Sequence, residues 1–298
     1  MTTDWKKAVM IAALVCALAG WASASQAVSE SHPLAPGGGV SIESLAGSLT
    51  IEGWDGAAVE ISGTLGDGVE RLEVESDEDG ISIEVEYDEG YRGRQKVQTD
   101  LTIRVPRDAE LSVETVSAGI SVSGMRGVVE LESVSGAILV ADAPSVLEVE
   151  SVSGKVTVDT APDGAELASV SGAIRVGTAL GSIEASNVSG SIVIEGGTLA
   201  GADFETVSGD ITCNAVPGAR GDIDMETMSG TITLTVDADA AASFSLETFS
   251  GSISNQIGPE AQKTSRYTPE KELRFDTGAG GPSISLSSFS GSIKLLTR

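Results

Sequence analysis

Two pairs of carboxylates are the residues of this chain whose type and spacing best suit catalysis. Asp222 and Asp224 stand two positions apart, and Asp237 and Asp239 repeat that spacing. Two neighbouring carboxyl groups can act as general acid and general base in the cleavage of a polysaccharide. Basic partners are scarce beside both pairs, and a chain this acidic produces such pairs by chance. The pairs therefore do not by themselves predict an enzyme.

The residues needed for nucleophilic catalysis do not come together in the sequence. His32 is the only histidine. We expect it to lie in a mobile amino-terminal tail, so that no Ser-His or Cys-His pair can form in the body of the protein. Cys213 occupies an apolar position of the repeat described below, where a thiol behaves as a small hydrophobic side chain. We predict no catalytic residue, no cofactor and no metal centre.

A near match to a calcium-binding loop lies in the first third of the chain. Glu75, Asp77, Asp79 and Gly80, followed by Glu86, approach the EF-hand pattern. An EF-hand needs a helix on each side, whereas the flanking residues here alternate between apolar and polar types, as strands do. An Asp-Gly turn explains the same residues, so we predict a β-hairpin.

A locally basic stretch, residues 256–275, is the best candidate for partner recognition. Lys263, Arg266, Tyr267 and Arg274 place cations and an aromatic side chain on an acidic protein. Long insertions in repeat proteins often map to binding surfaces. The alternative is a hairpin that caps the open end of the fold, because an uncovered strand edge invites pairing with other chains.

These candidates must be positioned by a repeat that covers the last two-thirds of the chain. A Val-Ser-Gly phrase, with Met or Phe replacing Val in the later copies, has its glycine at 136, 154, 172, 190, 209, 230, 251 and 291. Subtracting successive numbers gives intervals of 18, 18, 18, 19, 21, 21 and 40. A fixed period of this size indicates stacked units that cannot bury their apolar faces alone.

The pattern within each unit is that of two short strands joined at a corner. Around Gly136, for example, Leu131, Ile138 and Val140 are apolar at alternate positions, which is strand patterning. We expect the glycine of the corner to adopt a positive φ. An antiparallel meander and a parallel coil both fit, but recurrence of one residue type at one place favours parallel coils stacked about 4.8 Å apart. The fold class we predict is an all-β parallel β-helix.

Hydroxyl and acidic side chains also recur at fixed places in the unit. Three residues before the glycine stands a Ser, Thr or Asn, which we expect to hydrogen-bond along the stack. Four residues before it stand Glu132, Glu150, Glu205, Glu226 and Glu247. Like charges about 5 Å apart in water repel by only about 0.8 kcal/mol, so a solvated face is expected. Weak divalent cation binding is the functional alternative.

The net charge and the amino-terminal residues limit the partners and the location that we expect for the protein. The net charge of −26 makes nucleic acid and anionic lipid poor partners, since both need Lys and Arg. Lys6, Lys7 and the apolar residues after them indicate a signal peptide cleaved after Ala24 or Ala27, so we expect export to the periplasm or cell surface. No apolar run is long enough for a comfortable membrane span.

The sequence divides into a signal peptide, a tail and one domain. The predicted bounds are 1–27 for the signal peptide, 28–36 for a short tail and 37–298 for the domain. Within the domain we expect irregular coils at 37–110, regular repeats at 111–254 and an insertion plus final coil at 255–298.

Taken together, these features resemble the bacterial putative adhesin family of exported repeat proteins. The resemblance rests on the glycine-rich segment 37–51, on Leu101 to Pro106 leading into Leu111 to Thr115, and on the serial Ser-Gly coils up to Ile293. It implies a right-handed β-helix at the cell envelope, with no assigned activity. We expect a noncatalytic scaffold that binds an envelope protein or a glycan. The alternatives are a carbohydrate-active β-helix enzyme and a self-assembling structural protein that forms homo-oligomers.

Overall fold

A computed structural model gives the structure of the protein. It describes residues 26–66, 68–78, 80–87, 99–219, 221–263 and 269–298. Every regular element in these ranges is a β-strand, as the alternation of residue types predicts. Within the same ranges there is no helix that could cross a bilayer. Of the predicted signal peptide, residues 1–25 lie outside the described part of the chain.

The strands follow one another along the whole described chain. The amino-terminal half contains β1 (Gln26–Pro33), β2 (Gly39–Ser44), β3 (Ser48–Trp54), β4 (Ala58–Leu65), β5 (Val69–Ser76), β6 (Gly80–Tyr87), β7 (Asp100–Pro106), β8 (Glu110–Thr115), β9 (Gly119–Ser123), β10 (Val128–Ser133), β11 (Ile138–Val140), β12 (Val146–Ser151) and β13 (Val156–Ala161). The carboxyl-terminal half contains β14 (Ala165–Ser169), β15 (Ile174–Asn187), β16 (Ile192–Thr206), β17 (Ile211–Cys213), β18 (Val216–Pro217), β19 (Ile223–Thr227), β20 (Thr231–Val236), β21 (Ala242–Thr248), β22 (Ser252–Asn255), β23 (Gln262–Lys263), β24 (Lys271–Thr277), β25 (Ser283–Ser288) and β26 (Ser292–Thr297).

Successive units pair in parallel, so that the chain forms a solenoid with two long stacks of strands. The strand before each Ser-Gly corner belongs to the first stack, in which Leu131 aligns with Val149 and Val149 with Leu167. The strand after the corner belongs to the second stack, in which Ile138 aligns with Val156. Because the register is constant, like residues lie above like residues along each stack.

The hydrophobic core fills the space between the two stacks. Alternate residues of each strand point inward, so the apolar positions predicted around Gly136 are all buried: Leu131, Ile138 and Val140 are each 1% exposed. The coil that contains β22 departs from this pattern: Ile253 is only partly buried, and the Oδ1 atom of Asn255 accepts hydrogen bonds from the backbone nitrogens of Ile257 and Gly258. The repeat therefore identifies the core correctly through its regular part.

The order of the coils in space differs from their order in the sequence at both ends. At the amino-terminal end, Val40 of β2 aligns with Ile81 of β6 on one side and with Leu111 of β8 on the other. At the carboxyl-terminal end, Leu286 of β25 aligns with both Met225 and Leu246. In each case a coil from the chain end is inserted between two others, so the outermost coil is not the terminal one.

Antiparallel strands cover three of the four stack ends of the solenoid; at the fourth, the described strand β22 pairs only with β26. At the amino-terminal end β5 pairs with β6, and β4 pairs with β7. At the other end β24 pairs with β21, and β23 pairs with β24. These strands take up the hydrogen bonds that an uncovered parallel coil would offer to another chain. The insertion before the last Ser-Gly corner thus contributes a capping hairpin, which is the alternative that its sequence left open.

The expectation of a short tail at residues 28–36 is wrong for most of its length. Residues 26–33 form β1, which pairs with β4 through registers such as Glu30 with Ile61. His32 lies in this strand, with its Nε2 atom 3.1 Å from an Oε2 atom of Glu30. The segment has few apolar residues, so periodicity gives no signal. Its pairing depends on backbone groups at the edge of β4, which any sequence without proline in the strand interior can match.

Candidate interaction surface

The Val-Ser-Gly corner ties each coil to the one before it. In the copy at 152–154, the Val152 nitrogen donates to the Ser133 carbonyl at 3.0 Å, and the Ser153 hydroxyl donates to the Val134 carbonyl at 3.1 Å. The buried Ser151 hydroxyl, one residue before the corner, donates to the Gly154 carbonyl at 3.0 Å. The valine and serine side chains therefore face solvent, while the glycine faces the core.

The hydroxyl and amide side chains three residues before each glycine mainly brace this corner. Ser133 accepts from the Gly136 nitrogen at 2.9 Å, and Asn187 accepts from the Gly190 nitrogen at 2.6 Å. A direct side-chain bond along the stack joins Thr115 and Ser133 at 3.0 Å. The predicted ladder exists, but its members bind backbone groups more often than one another.

The prediction of a positive φ at the corner glycines is wrong. None of the corner glycines of the regular repeats, from Gly136 to Gly291, has a positive φ; Gly47, in the irregular corner that follows Leu45, does. A β-carbon on Gly154 would instead lie 1.8 Å from the carbonyl oxygen of Gly136 in the neighbouring coil. Glycine is required at position 154 because the stacked backbones approach too closely there for a side chain, and the corner itself has an ordinary backbone conformation.

A continuous column of exposed apolar side chains runs along the corners. Backbone hydrogen bonds link its members from coil to coil, for example from Ser153 to the Val134 carbonyl and from Ser171 to the Val152 carbonyl. The exposed fractions of the valines cluster near 46%. We call this column the apolar ridge; its members in spatial order are Leu45, Val116, Val134, Val152, Val170, Val188, Val207, Met228, Phe289 and Phe249.

The carboxyl-terminal end of the apolar ridge is aromatic. The rings of Phe249 and Phe289 stack with centroids 5.0 Å apart and planes inclined by 7°. Met228 and Phe289 are 59% and 58% exposed. Large apolar side chains with this exposure contribute strongly to protein interfaces when a partner covers them.

Two columns of carboxylates cover the outer surface of the first stack beside the apolar ridge. The inner column occupies the position two residues before the ridge, where Ala168, Ser186 and Ser287 interrupt it. Register places Glu132 between Glu114 and Glu150. We call the two columns the acidic face. Its inner column is Glu84, Glu43, Glu114, Glu132, Glu150, Glu205, Glu226 and Glu247, and its outer column is Glu130, Glu148, Glu166, Glu184, Asp203 and Asp224.

The acidic face is uncompensated by cations within the described part of the chain. The ion pairs of the first stack lie at its ends, where Arg71 meets Glu73 and Glu86, and Arg274 meets Glu272. Burial and the surrounding carboxylates raise the pKa of Glu132. Burial, followed by the charge of Asp203, raises the pKa of Asp224, although a hydrogen bond from Ser285 opposes this.

A groove of about 570 Å³ separates the apolar ridge from the inner column over the first half of the solenoid. One wall is formed by ridge residues from Leu45 to Val188, and the other by carboxylates such as Glu114, Glu132 and Glu150. Ala168 continues the inner column with a small side chain. The groove is thus apolar along one side and negatively charged along the other.

Comparison with known proteins places this architecture in a family. A family model described as Toastrack DUF4097 matches residues 39–296. The chain belongs to the Toastrack family. No curated protein matches it.

Two solved structures show that the Toastrack solenoid has known relatives in fold. A putative adhesin from Parabacteroides merdae ATCC 43184 is 9% identical with a TM-score of 0.56, and the match covers 91% of this chain and 96% of that one. A putative lipid binding protein from Parabacteroides distasonis ATCC 8503 is 16% identical with a TM-score of 0.57, over the same shares of the two chains. At these identities the similarity establishes the fold alone.

The predicted recognition patch of this Toastrack chain falls on the capping hairpin. Lys263 ends β23 and Arg274 lies on β24, and both line a groove of about 380 Å³ together with Glu260 and Glu272. The Nε atom of Arg274 is 2.5 Å from an Oε1 atom of Glu272. The described part of the patch is therefore mixed in charge. Arg266 and Tyr267 lie outside the described residues.

The carboxylate pairs that suggested catalysis lie on different parts of the solenoid. Asp224 is on the outer surface of β19 in the first stack, next to Asp203. Asp237 follows β20 of the second stack and pairs with Arg298, whose Nε atom is 2.9 Å from an Asp237 oxygen. Among the described residues, no group of three or more His, Cys, Asp or Glu side chains is arranged to hold a metal ion.

The remaining sequence candidates have structural roles. The EF-hand-like segment is the hairpin of β5 and β6, in which the Gly80 nitrogen donates to the Asp77 carboxylate at 2.8 Å, and Glu86 pairs with Arg71. Asp79 lies outside the described residues. Cys213 is buried, and burial raises the pKa of its thiol to about 11, which keeps the unreactive protonated form at neutral pH.

The apolar ridge is the feature that sequence reasoning missed. A signal for it was available. Leu131 and Ser133 point inward, so Val134, directly after Ser133, takes an outward position where the pattern predicts a polar residue. An apolar residue out of phase in every copy marks an exposed column. The frequency of valine in strands concealed this.

Proposed function

We propose that this protein is an exported, noncatalytic interaction scaffold of the cell envelope, built as a right-handed parallel β-helix of 18- to 21-residue coils. The observation that carries the proposal is the apolar ridge running unbroken beside the acidic face. An apolar strip of this length on a monomeric surface marks an interaction site. Its construction from one repeated corner gives a partner the same contact in every coil.

The form of the surface supports binding in preference to catalysis. Enzyme sites bring a few polar groups together in a concave, largely apolar pocket. Here the groove is open and lined by repeated valines and carboxylates. The names given to the two structural relatives, an adhesin and a lipid binding protein, also describe binding.

The acidic composition and the capped ends of the first stack limit the classes of partner that the protein can bind. The net charge of −26 disfavours nucleic acid and anionic membrane surfaces, which leaves an envelope protein or a glycan. Antiparallel β24 and β5 cover the ends of the first stack, which disfavours growth by end-to-end stacking of copies. Lys263, Arg266, Tyr267 and Arg274 remain a second, smaller candidate surface on the capping hairpin.

The experiment that tests the proposal compares binding with turnover in one mature chain. Immobilised protein is probed with glycan and envelope-protein arrays, using wild type, a variant with Val134→Ser and Val152→Ser, and a variant with all four hairpin residues replaced by Ala. We expect the ridge variant to lose captured partners while circular dichroism stays unchanged. Polysaccharide cleavage by wild type that Asp224→Asn abolishes would contradict the proposal.

A further inference from the structure

The groove between the apolar ridge and the inner acidic column has properties that specify the class of its occupant. The ridge wall requires apolar side chains, because Val134, Val152 and Val170 offer aliphatic surface there. The opposite wall requires cations, because Glu114, Glu132 and Glu150 make no ion pair among the described residues. An occupant must therefore carry both kinds of group side by side.

The charge is confined to one flank of the apolar ridge. On the other flank each ridge residue is followed by a neutral, exposed corner serine, such as Ser135, Ser153 and Ser171. A partner that matches this asymmetry has its cations along one edge of an apolar stripe. A uniformly basic segment would leave half of its charges without a carboxylate.

The spacing of the coils selects the secondary structure of the occupant. Ridge residues recur once per coil, at about 4.8 Å along the stack. Same-face residues of a strand laid along the groove recur at about 6.6 Å, which falls out of step after one coil. A helix advances about 5.4 Å per turn, so each turn drifts from its coil by only about 0.6 Å. Three turns therefore accumulate about 1.8 Å, the offset that a strand reaches at its first step.

We propose that this groove binds an amphipathic helix of a partner polypeptide, with Lys or Arg residues along one edge of its apolar stripe. The inference rests on the proposed binding function and adds the identity of the ligand class. Helix-in-groove docking of this kind uses anchors at helical spacing. Each cation of the helix faces a carboxylate of the inner column, and each apolar anchor faces a valine of the ridge.

The charge of the protein argues against two other occupants. A second copy that seated its own ridge in the groove would bring apolar side chains and corner serines, and no cations, to Glu114, Glu132 and Glu150. An anionic membrane would be repelled by the same carboxylates. Partial burial and then the charges of neighbouring carboxylates raise the pKa of Glu132, and a cation from the occupant would offset the second of these causes.

The test uses a synthetic 18-residue helical peptide of leucine, alanine and lysine, with the lysines along one edge of the leucine stripe. Matched peptides replace every lysine by glutamate or every leucine by serine. We expect the lysine-leucine peptide to bind the full mature protein and both matched peptides to bind at least about tenfold more weakly. Affinity should fall as salt rises.

Protein variants locate the binding on the groove. Val134→Ser with Val152→Ser should weaken the peptide at least about tenfold, whereas Leu139→Ser with Val146→Ser, which have similar exposure elsewhere, should not. Glu132→Gln with Glu150→Gln should weaken it and flatten the salt dependence. The charge-matched control, Glu52→Gln with Asp159→Asn, removes two exposed carboxylates of the second stack. Far-ultraviolet circular dichroism checks that each variant is folded.

Several outcomes test the helix proposal separately from the proposed binding function. Equal binding of the lysine and glutamate peptides, or peptide binding that the ridge variant leaves intact, overturns the helix proposal. Loss of array partners in the ridge variant without peptide binding overturns the helix and retains the binding scaffold. A wild-type dimer in light scattering that the ridge variant converts to monomer shows that a second copy occupies the ridge.

Discussion

Gly154 lies so close to the carbonyl oxygen of Gly136 that a β-carbon there would be 1.8 Å from it. The same relationship recurs one coil further on, where a β-carbon on Gly172 would lie 1.9 Å from the carbonyl oxygen of Gly154. A column of glycines therefore sets the closest approach of the coils. A side chain at position 154 must push two coils apart. The close backbone contact along this column fixes the distance between successive coils, and so fixes the distance between successive residues of the apolar ridge and of the acidic face.

Replacing Gly154 should therefore be costly even with alanine. We expect Gly154→Ala to lower the free energy of unfolding by about 1–3 kcal/mol through overpacking, and Gly154→Val by more. Gly119→Ala is the matched control, because a β-carbon there would lie 3.8 Å from the Ala137 oxygen, at ordinary van der Waals distance. Glu150→Gln should change stability by no more than about 0.5 kcal/mol. Urea melts that rank Gly119→Ala as the more damaging change would contradict the stacking explanation.

Asn187 should be the most sensitive polar residue of the buried column. Its Nδ2 atom donates to the Gly172 carbonyl of the neighbouring coil at 2.7 Å, and its Oδ1 atom accepts from the Gly190 nitrogen at 2.6 Å. Asn187→Ala leaves both backbone groups buried without this partner, which we expect to cost about 2–3 kcal/mol. Asn187→Ser restores the residue type of other coils and should cost less. Equal urea midpoints for the two variants would contradict this.

The uncompensated charge of the acidic face should make stability depend on pH. Because the pKa of Glu132 is raised in the folded protein, the folded state holds that proton more tightly than the unfolded state. Its contribution to the free energy of unfolding is thus largest below the ordinary Glu value and is lost as pH rises through the raised value. Glu132→Gln should remove this part of the pH dependence of the free energy of unfolding. The change should be at most about 0.5 kcal/mol, because the side chain is exposed.

Urea melts of wild type and Glu132→Gln between about pH 4 and pH 7 check the sign. Asp159→Asn serves as the control, since it lies on the second stack away from the acidic face. High salt should reduce the difference between wild type and Glu132→Gln by screening the carboxylates. A difference that grows as pH falls, in favour of the variant, would contradict the assignment.

The inserted final coil makes the carboxyl terminus part of the interior. Leu286 is fully buried and aligns with both Met225 and Leu246. We expect Leu286→Ala to cost about 2–5 kcal/mol, as much as Leu131→Ala in the regular repeats. A terminal coil stacked on one side only would lose less. Urea melts of the two variants decide, and a small effect at Leu286 alone would refute the inserted order.

Sequence periodicity recovers the inside of this protein better than its ends or its outside. Ile138 and Val156 are buried where the alternation places them, because burial of alternate residues follows from strand geometry. The insertion of β25 between β19 and β21 leaves no such trace, since every coil carries the same apolar residues and can stack on any other. The polar strand β1 and the out-of-phase Val134 depend on backbone pairing and on solvent exposure, which hydrophobic spacing does not report.

Cys213 offers a direct measure of how tightly the coils are closed. It is buried between Ile194 and Leu234 in neighbouring coils, and burial raises the pKa of its thiol to about 11. An aromatic disulfide reagent at about pH 8 should therefore react only when the coils open, at a rate set by the opening equilibrium. Leu234→Ala should accelerate labelling, whereas the surface change Glu226→Gln should leave it unchanged. Labelling of native wild type at the rate of a free thiol would mean that position 213 is not in the core.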